Sequence, residues 1–387
     1  MKFDLAARGA ELTPDRSALW FGDRWYRYRD LDERAARLAH RLAALGIGPG
    51  DRVGILAANH LTHFELLLAA PKLGFIFAPL NLRLSPSELS QALQQVQPSL
   101  LFHDARSAVL AEQSFAGSRV ALESYQAWLG EDGICEPLAA KLSPECIQMI
   151  LMTGGSTGTP KAAMIPYRQI QANARATASE WGLGSEDCAI QATPCYHAAL
   201  NVFSTPLLSV GGRVVLTAQF DPGEYLRLVV QHRATLMFMV PSMYRQLAEH
   251  SAFASADLSS VRWAISGGAP CPEALAEIFH RRGISFRQGY GMTEAGVNCF
   301  TQSVQDGDRY PDSVGRPMPH VQMQIRHPDG RPCTTGETGE LTLSGEGLCA
   351  GYLQADAEWR EAMRDGCFWT GDLAECDAQG RYRIRGR

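Results

Sequence analysis

The sequence predicts an α/β protein of two similar subdomains with mainly parallel sheets packed together, followed by a small β-barrel-like subdomain. Three observations carry this. Apolar, strand-like runs are separated by helix-length segments through most of the chain, which implies parallel pairing through crossovers. The pattern breaks over a less regular stretch that includes residues 116–144, then restarts. From about Val314 the helical period disappears and short alternating strands replace it. Units at 1–150, 151–313 and 314–387 follow, and a chain of 387 residues is too long for one ordinary core.

In the first unit, Leu31, Ala35, Leu38, Leu42 and Leu45 recur at four- and three-residue spacing on one helical face, with Gly46 as a left-handed stop. Residues 53–56 read as a short buried strand, 64–70 as a second helix and 75–78 as a further strand. Ser85, Pro86 and Glu88 supply an N-cap, a first-turn proline and a capping-box acid for a helix carrying Leu89, Leu93 and Val96. Residues 100–102 close the unit as a strand. In the second unit, 214–216, 235–240, 262–266 and 285–288 read as strands, with helices opened by Asp221-Pro222 and Pro272-Glu273. In the third, Val321, Met323 and Ile325 alternate, Pro328-Asp329-Gly330 is a turn, and 340–343 and 382–384 are strands.

Composition narrows the function. Hydrophobic residues make up 45% and charged residues 20%, ordinary for a globular protein. A net charge of -5 offers no general attraction to nucleic acid or anionic lipid. The ten cysteines form no CxxC pair and no Cys/His cluster at metal-ligand spacing, which argues against zinc and for reduced thiols. With no apolar signal region and no run long enough to span a bilayer, a cytoplasmic protein is expected.

The chemistry is concentrated first in Thr153, Gly154, Gly155, Ser156, Thr157, Gly158, Thr159, Pro160 and Lys161. Glycines let backbone N–H groups approach an anion, hydroxyls donate hydrogen bonds, and a lysine adds a point charge suited to phosphate oxygens. A polyphosphate is the matching ligand. A plain surface loop is the competing reading, and the lysine set directly behind a proline weighs against it. A Walker loop is excluded, because Pro160 precedes Lys161 and Ala162 follows it where Gly and Ser or Thr are required.

The sequence resembles the adenylate-forming, acyl-activating enzymes, which include acyl-CoA synthetases and the adenylation domains of peptide synthetases. The resemblance rests on the loop from Thr153 to Lys161 and on motifs in the family's order: Pro194-Cys195-Tyr196-His197, Ser266-Gly267-Gly268-Ala269-Pro270, Gln288-Gly289-Tyr290-Gly291-Met292-Thr293-Glu294, Gly339-Glu340-Leu341, Trp369-Thr370-Gly371-Asp372 and Gly386-Arg387. It covers essentially the whole chain. It implies that a substrate carboxylate attacks the α-phosphorus of ATP and that magnesium pyrophosphate leaves. Such a transfer depends on positioning and charge stabilisation.

The resemblance also implies roles. Lys161 and the loop backbone hold the β- and γ-phosphates, Thr293 contacts the α-phosphate, and Glu294 binds Mg2+. Tyr290 stacks on adenine, with Gly268, Ala269 and Pro270 lining the base and Gln288 and Met292 completing the nucleotide segment. Asp372 accepts from the ribose hydroxyls with help from Arg387. His197, Asn201 and Val297 border the acyl pocket, where Gly267, Gly289 and Gly291 leave room for the acyl or aryl group. The absence of an acidic residue at His197 argues against an α-amino acid and for a neutral, apolar acid of open chain length and aromaticity.

Gly154 departs from the family's usual Ser or Thr, Ala162 from a glycine, and Pro166-Tyr167 from a polar-His pair. The family continues beyond the Gly-Arg motif into a small mobile domain that supplies a catalytic lysine and the thioester tunnel. The resemblance thus predicts slow turnover for the present chain. An AMP-forming acid–thiol ligase using coenzyme A is the leading expectation. An adenylation domain that loads a carrier protein and a non-catalytic adenylate-binding module are the alternatives, and a homodimer is compatible with all three.

Overall fold

The structure is a computed structural model that describes residues 3–130, 138, 140–154 and 160–387. Two open sheets dominate it. One has six strands in the order Arg119–Ala121, Leu100–His103, Arg52–Leu56, Ile76–Pro79, Ile147–Thr153 and Lys161–Pro166, parallel except for the last pair. The other has seven, in the order Ser285–Gln288, Trp263–Ser266, Leu236–Met239, Cys188–Gln191, Arg213–Leu216, Ser17–Phe21 and Arg24–Arg27, again parallel except for the last pair. A curled antiparallel sheet follows, built on Gln322–Arg326, Gly339–Ser344, Cys367–Cys376 and Met363–Arg364, with Tyr382–Gly386 also paired to Cys367–Cys376.

The strands read as unbroken apolar runs because both faces of each large sheet are covered. Alternation then sorts their side chains between two cores. Val214 and Leu216 join a core shared with Val53, Ile55, Leu100 and Phe102 of the other sheet, whereas Val215 faces outward with Met237 and Met239. Helices Tyr28–Ala44, Leu61–Leu73, Tyr167–Glu180 and Leu200–Ser209 contribute to that shared core, which joins the two α/β units.

Sheet membership does not divide the chain at residue 150. Ser17–Phe21 pairs with Arg213–Leu216, and Lys161–Pro166 pairs back onto Ile147–Thr153. Main-chain hydrogen bonds are available to any sequence, so apolar periodicity announces a strand without naming its partner.

Local signals behave as their chemistry requires. Ser85 Oγ accepts from Glu88 N at 3.4 Å while Glu88 Oε2 accepts from Ser85 N at 2.8 Å, opening Pro86–Val96. Asp221 Oδ1 accepts from Glu224 N at 2.8 Å and opens Pro222–His232. Leu31, Ala35, Leu38 and Leu42 are buried as expected, but Leu45 is 53% exposed. It is the C-cap of Tyr28–Ala44, and Gly46 at φ 81° turns the chain away before the apolar face could extend to it.

Helix Leu61–Leu73 is buried along almost its whole length and carries two charges into the interior. Glu65 pairs with Arg34 of the neighbouring helix, and Lys72 Nζ donates to Asp4 at 2.8 Å and to Asp32. Buried charges persist only when paired in this way.

Candidate active site

Ligands of open α/β sheets collect beyond the carboxyl ends of the strands. Here two glycine-bearing segments emerge there side by side. Gly267 follows Trp263–Ser266 and Gly289 follows Ser285–Gln288; Gly289 N donates to Ser266 O at 2.7 Å, continuing the ladder one residue past the strand. The second segment then folds back on itself. A Cβ on Gly291 would lie 1.8 Å from the Val297 carbonyl oxygen, so no larger residue fits the observed backbone there. A short 3-10 turn, Thr293–Ala295, completes the fold-back. The segment walls a cavity of about 1070 Å³ that is also lined by Gly267, Gly268, Tyr290, Met292, Thr293, Val297 and His197.

Two carboxylates anchor this segment. Tyr290 Oη donates to Asp372 Oδ2 at 2.6 Å, and Arg387 Nε donates to Asp372 Oδ1 at 2.6 Å. Asp372 lies in strand Cys367–Cys376, and its backbone N–H is held by Thr370 Oγ1 at 3.0 Å. Burial first, then the Asp372 charge, raises the Tyr290 phenol far above its ordinary range, so it stays a donor. Phe300 meets the Tyr290 ring edge-on at 5.7 Å and fixes its plane.

Four residues on, Glu294 is buried and its Oε1 accepts from Tyr352 Oη at 2.8 Å. Lys161 begins strand Lys161–Pro166, opposite Thr153, and its Nζ lies 5.1 Å from the Tyr352 ring centroid. Tyr352 therefore links the lysine and the acid, one through its face and the other through its hydroxyl. Its phenol is raised by burial first and by Glu294 second. Gln169 Nε2 donates to Thr293 O at 2.9 Å and Cys349 N to Glu294 O at 2.7 Å, fixing the backbone of both.

The sequence signature of AMP-binding enzymes matches residues 6–353. The chain belongs to the AMP-binding enzyme family. A feruloyl-CoA synthase from Amycolatopsis sp. is 36% identical over 97% of this chain and 76% of its own length. An indoleacetate–CoA ligase from Aromatoleum aromaticum is 32% identical over 98% of this chain and 77% of its own. The inhibitor-bound N-terminal domain of FACL13 from Mycobacterium tuberculosis superposes with a TM-score of 0.93 at 28% identity, covering 100% of both chains. ATP-bound MatB from Rhodopseudomonas palustris superposes with a TM-score of 0.90 at 27% identity, covering 100% of this chain and 79% of that one.

Within this AMP-binding chain the motif residues divide into several groups. Tyr290, Asp372 and Arg387 are joined directly, as are Lys161, Tyr352 and Glu294. Gly155, Ser156, Thr157 and Gly158 lie outside the described residues, while Gly154 is exposed next to Thr153. Gly268, Ala269 and Pro270 are exposed, and only Gly268 of the three lines the cavity. Gln288 Nε2 is spent on Pro311 O at 2.8 Å and Cys271 O at 3.3 Å, which makes it a brace for the scaffold. His197 lines the cavity near Arg83; partial desolvation, then the Arg83 charge, lower its pKa.

One sequence expectation needs correction. Asn201 does not line the large cavity: it is buried on helix Leu200–Ser209 with its Oδ1 taken by Thr205 Oγ1 at 3.3 Å, beside a much smaller void. Gly267, Gly289 and Gly291 do line the cavity, and two of them also let cavity-lining side chains pack close. A Cβ on Gly289 would press on Ile265 at 3.0 Å and one on Gly267 on Phe238 at 3.2 Å. The cysteine reading also changes in one place, since donor atoms of His327, Cys333 and Glu337 lie within 4.8 Å of one another on the antiparallel unit, a grouping that linear spacing hides.

Tyr352 is the functional candidate that sequence reasoning missed. Its one linear signal is the Gly351-Tyr352 pair directly after Gly345–Ala350, and the bridge between Tyr352 and Ala163, with the backbone bonds flanking it, brings it to Lys161.

Proposed function

We propose that this chain activates a carboxylic acid as its acyl-adenylate, the first half-reaction of an AMP-forming acyl-CoA ligase. One observation carries the reading: a single loop offers Tyr290 to Asp372 and, four residues later, Glu294 to Tyr352, whose ring carries Lys161, while Tyr290 and Thr293 of the same loop line the large cavity. An aromatic ring with a fixed carboxylate suits adenosine, and a lysine with a buried acid suits a metal-bound polyphosphate.

Asp372 is already oriented for the ribose. A carboxylate offers about four acceptor sites, so two remain for the sugar hydroxyls after Tyr290 and Arg387 are served. Lys161 offers its positive charge to the β- and γ-phosphates, and the Thr293 hydroxyl donates to the α-phosphate. Glu294 fits Mg2+, because it is a buried carboxylate reached by one neutral hydroxyl among the described residues. Bound there, the metal would supply charge against the departing pyrophosphate. The substrate carboxylate oxygen forms the new bond to the α-phosphorus while the bond to pyrophosphate breaks, and no protein nucleophile is required.

The feruloyl and indoleacetate relatives support an aromatic acid as substrate and coenzyme A as the thiol acceptor. Acid-dependent exchange of labelled pyrophosphate into ATP tests the reading. Exchange should appear only with a matching acid and Mg2+; a panel of aryl and fatty acids giving no exchange and no adenylate would refute it.

A further inference from the structure

We infer that Asn298 selects the acid by accepting a hydrogen bond from a hydroxyl at the end of the substrate remote from its carboxylate, which makes a hydroxyaryl acid the preferred class. The chemistry at the other end rests on the adenylation reading above; the recognition rests on the pocket alone.

Asn298 lines the large cavity and is 5% exposed. Its amide nitrogen is engaged twice, donating to Thr177 Oγ1 at 2.9 Å and to Val202 O at 3.0 Å, and its backbone N–H donates to Asn173 Oδ1 at 3.2 Å. The Val202 carbonyl can only accept, so turning the amide over would set two oxygens against each other. The orientation is therefore fixed by the protein. Among the described residues no donor reaches Asn298 Oδ1, which leaves one acceptor open to the cavity in a wall whose neighbours include Trp181, Val202, Phe238 and Ile265.

An open acceptor costs free energy once a ligand covers it without supplying a donor. A saturated acyl tail would cover Oδ1 and strand it. A hydroxyl donor satisfies it, and the penalty then falls on every acid that lacks the group. Flat backbone at Gly267 and Gly289 with the rings of Trp181 and Phe238 suits an aromatic body between the two polar ends.

The test compares para- and meta-hydroxycinnamate with their fluoro counterparts, which are close in size but cannot donate. Acid binding is read by calorimetry without ATP, and pyrophosphate exchange is read separately. For the better hydroxy acid we expect about 10- to 100-fold tighter binding than for its fluoro partner. Asn298→Ala should shrink that ratio to within about twofold. The comparison in the unmodified protein stands even if the variant folds poorly. Equal affinity for both members of each pair, or no binding of either hydroxy acid, overturns the inference. If exchange fails with every acid while the hydroxyl preference and its loss in Asn298→Ala persist, the adenylation reading falls and this one holds.

Discussion

Asp372 and Glu294 are buried to the same degree, 8% and 7% exposed, yet they are held in opposite ways. Asp372 is served by a phenol and a guanidinium. Among the described residues Glu294 receives one hydroxyl, from Tyr352, whose ring carries Lys161, and it feels the Arg387 charge without an ion pair to it. A buried carboxylate with its charge partly uncompensated is a costly arrangement. The contrast teaches that the Asp372 end of the motif loop is a finished acceptor, whereas the Glu294 end is built to be completed by a cation.

The largest consequence should follow from removing that charge. Glu294→Gln keeps the shape and the bond from Tyr352, so acid-dependent pyrophosphate exchange should fall by about 10³-fold, while the melting temperature holds or rises because a neutral amide is cheaper to bury. Exchange assays with scanning calorimetry check both. A variant that loses stability and keeps its rate would remove Glu294 from the chemistry and end the contrast.

Acid should weaken the Glu294 side next. His320 backs this segment: a Cβ on Gly296 would sit 3.2 Å from its Nε2, and among the described residues neither ring nitrogen has a hydrogen-bond partner. Burial, and after it Arg175, lower its pKa to about 4. Above pH ~6.5 the imidazole is neutral in both the folded and unfolded states and contributes nothing. As pH falls towards 4, the unfolded chain takes up a proton that the native state refuses. Stability should then drop by roughly 1.4 kcal/mol per pH unit, about 3 kcal/mol in all. Urea titrations at several pH values should show the slope, and His320→Gln should remove this share of it; an unchanged slope would clear His320.

Asp372→Asn probes the finished end. Its partners can still meet an amide oxygen, but the charge is lost, so KM for ATP should rise about tenfold with kcat little changed. Initial rates with ATP as the varied substrate decide it. A fall in kcat at constant KM would move Asp372 from binding into the transition state.

These expectations also mark what linear reading could reach. Features closed within a few residues were legible: the Ser85–Glu88 box, the Asp221 cap and the strand at 214–216, although not the sorting of Val214 and Val215 into different cores. Tyr290 and Asp372 were each named by their motifs, but the bond between them spans 82 residues and belongs to the folding of the antiparallel unit onto the loop. The close packing of Phe238 on Gly267 and Ile265 on Gly289 was not legible, because a sequence gives a residue type and never the direction in which its missing Cβ would point. Tyr352 escaped for a related reason: aromatic residues next to glycine are common, and its value comes from the two groups on either side of it.

Tyr352 also gives the smallest and sharpest prediction. Its ring faces Lys161 and its hydroxyl holds Glu294, so Tyr352→Phe separates two functions that Tyr352→Ala removes together. With the ring kept, the lysine retains its cation–π platform. With the hydroxyl gone, Glu294 loses its neutral donor and leans harder on a cation. Exchange at saturating Mg2+ should change by no more than about threefold, in keeping with one neutral hydrogen bond, while the Mg2+ concentration giving half-maximal rate should fall. Tyr352→Ala should lose more rate, since Lys161 is released as well. If Tyr352→Phe leaves the Mg2+ dependence unmoved, the hydroxyl does no more than fill a vacancy beside Glu294, and the unfinished character of that end must come from Lys161 alone.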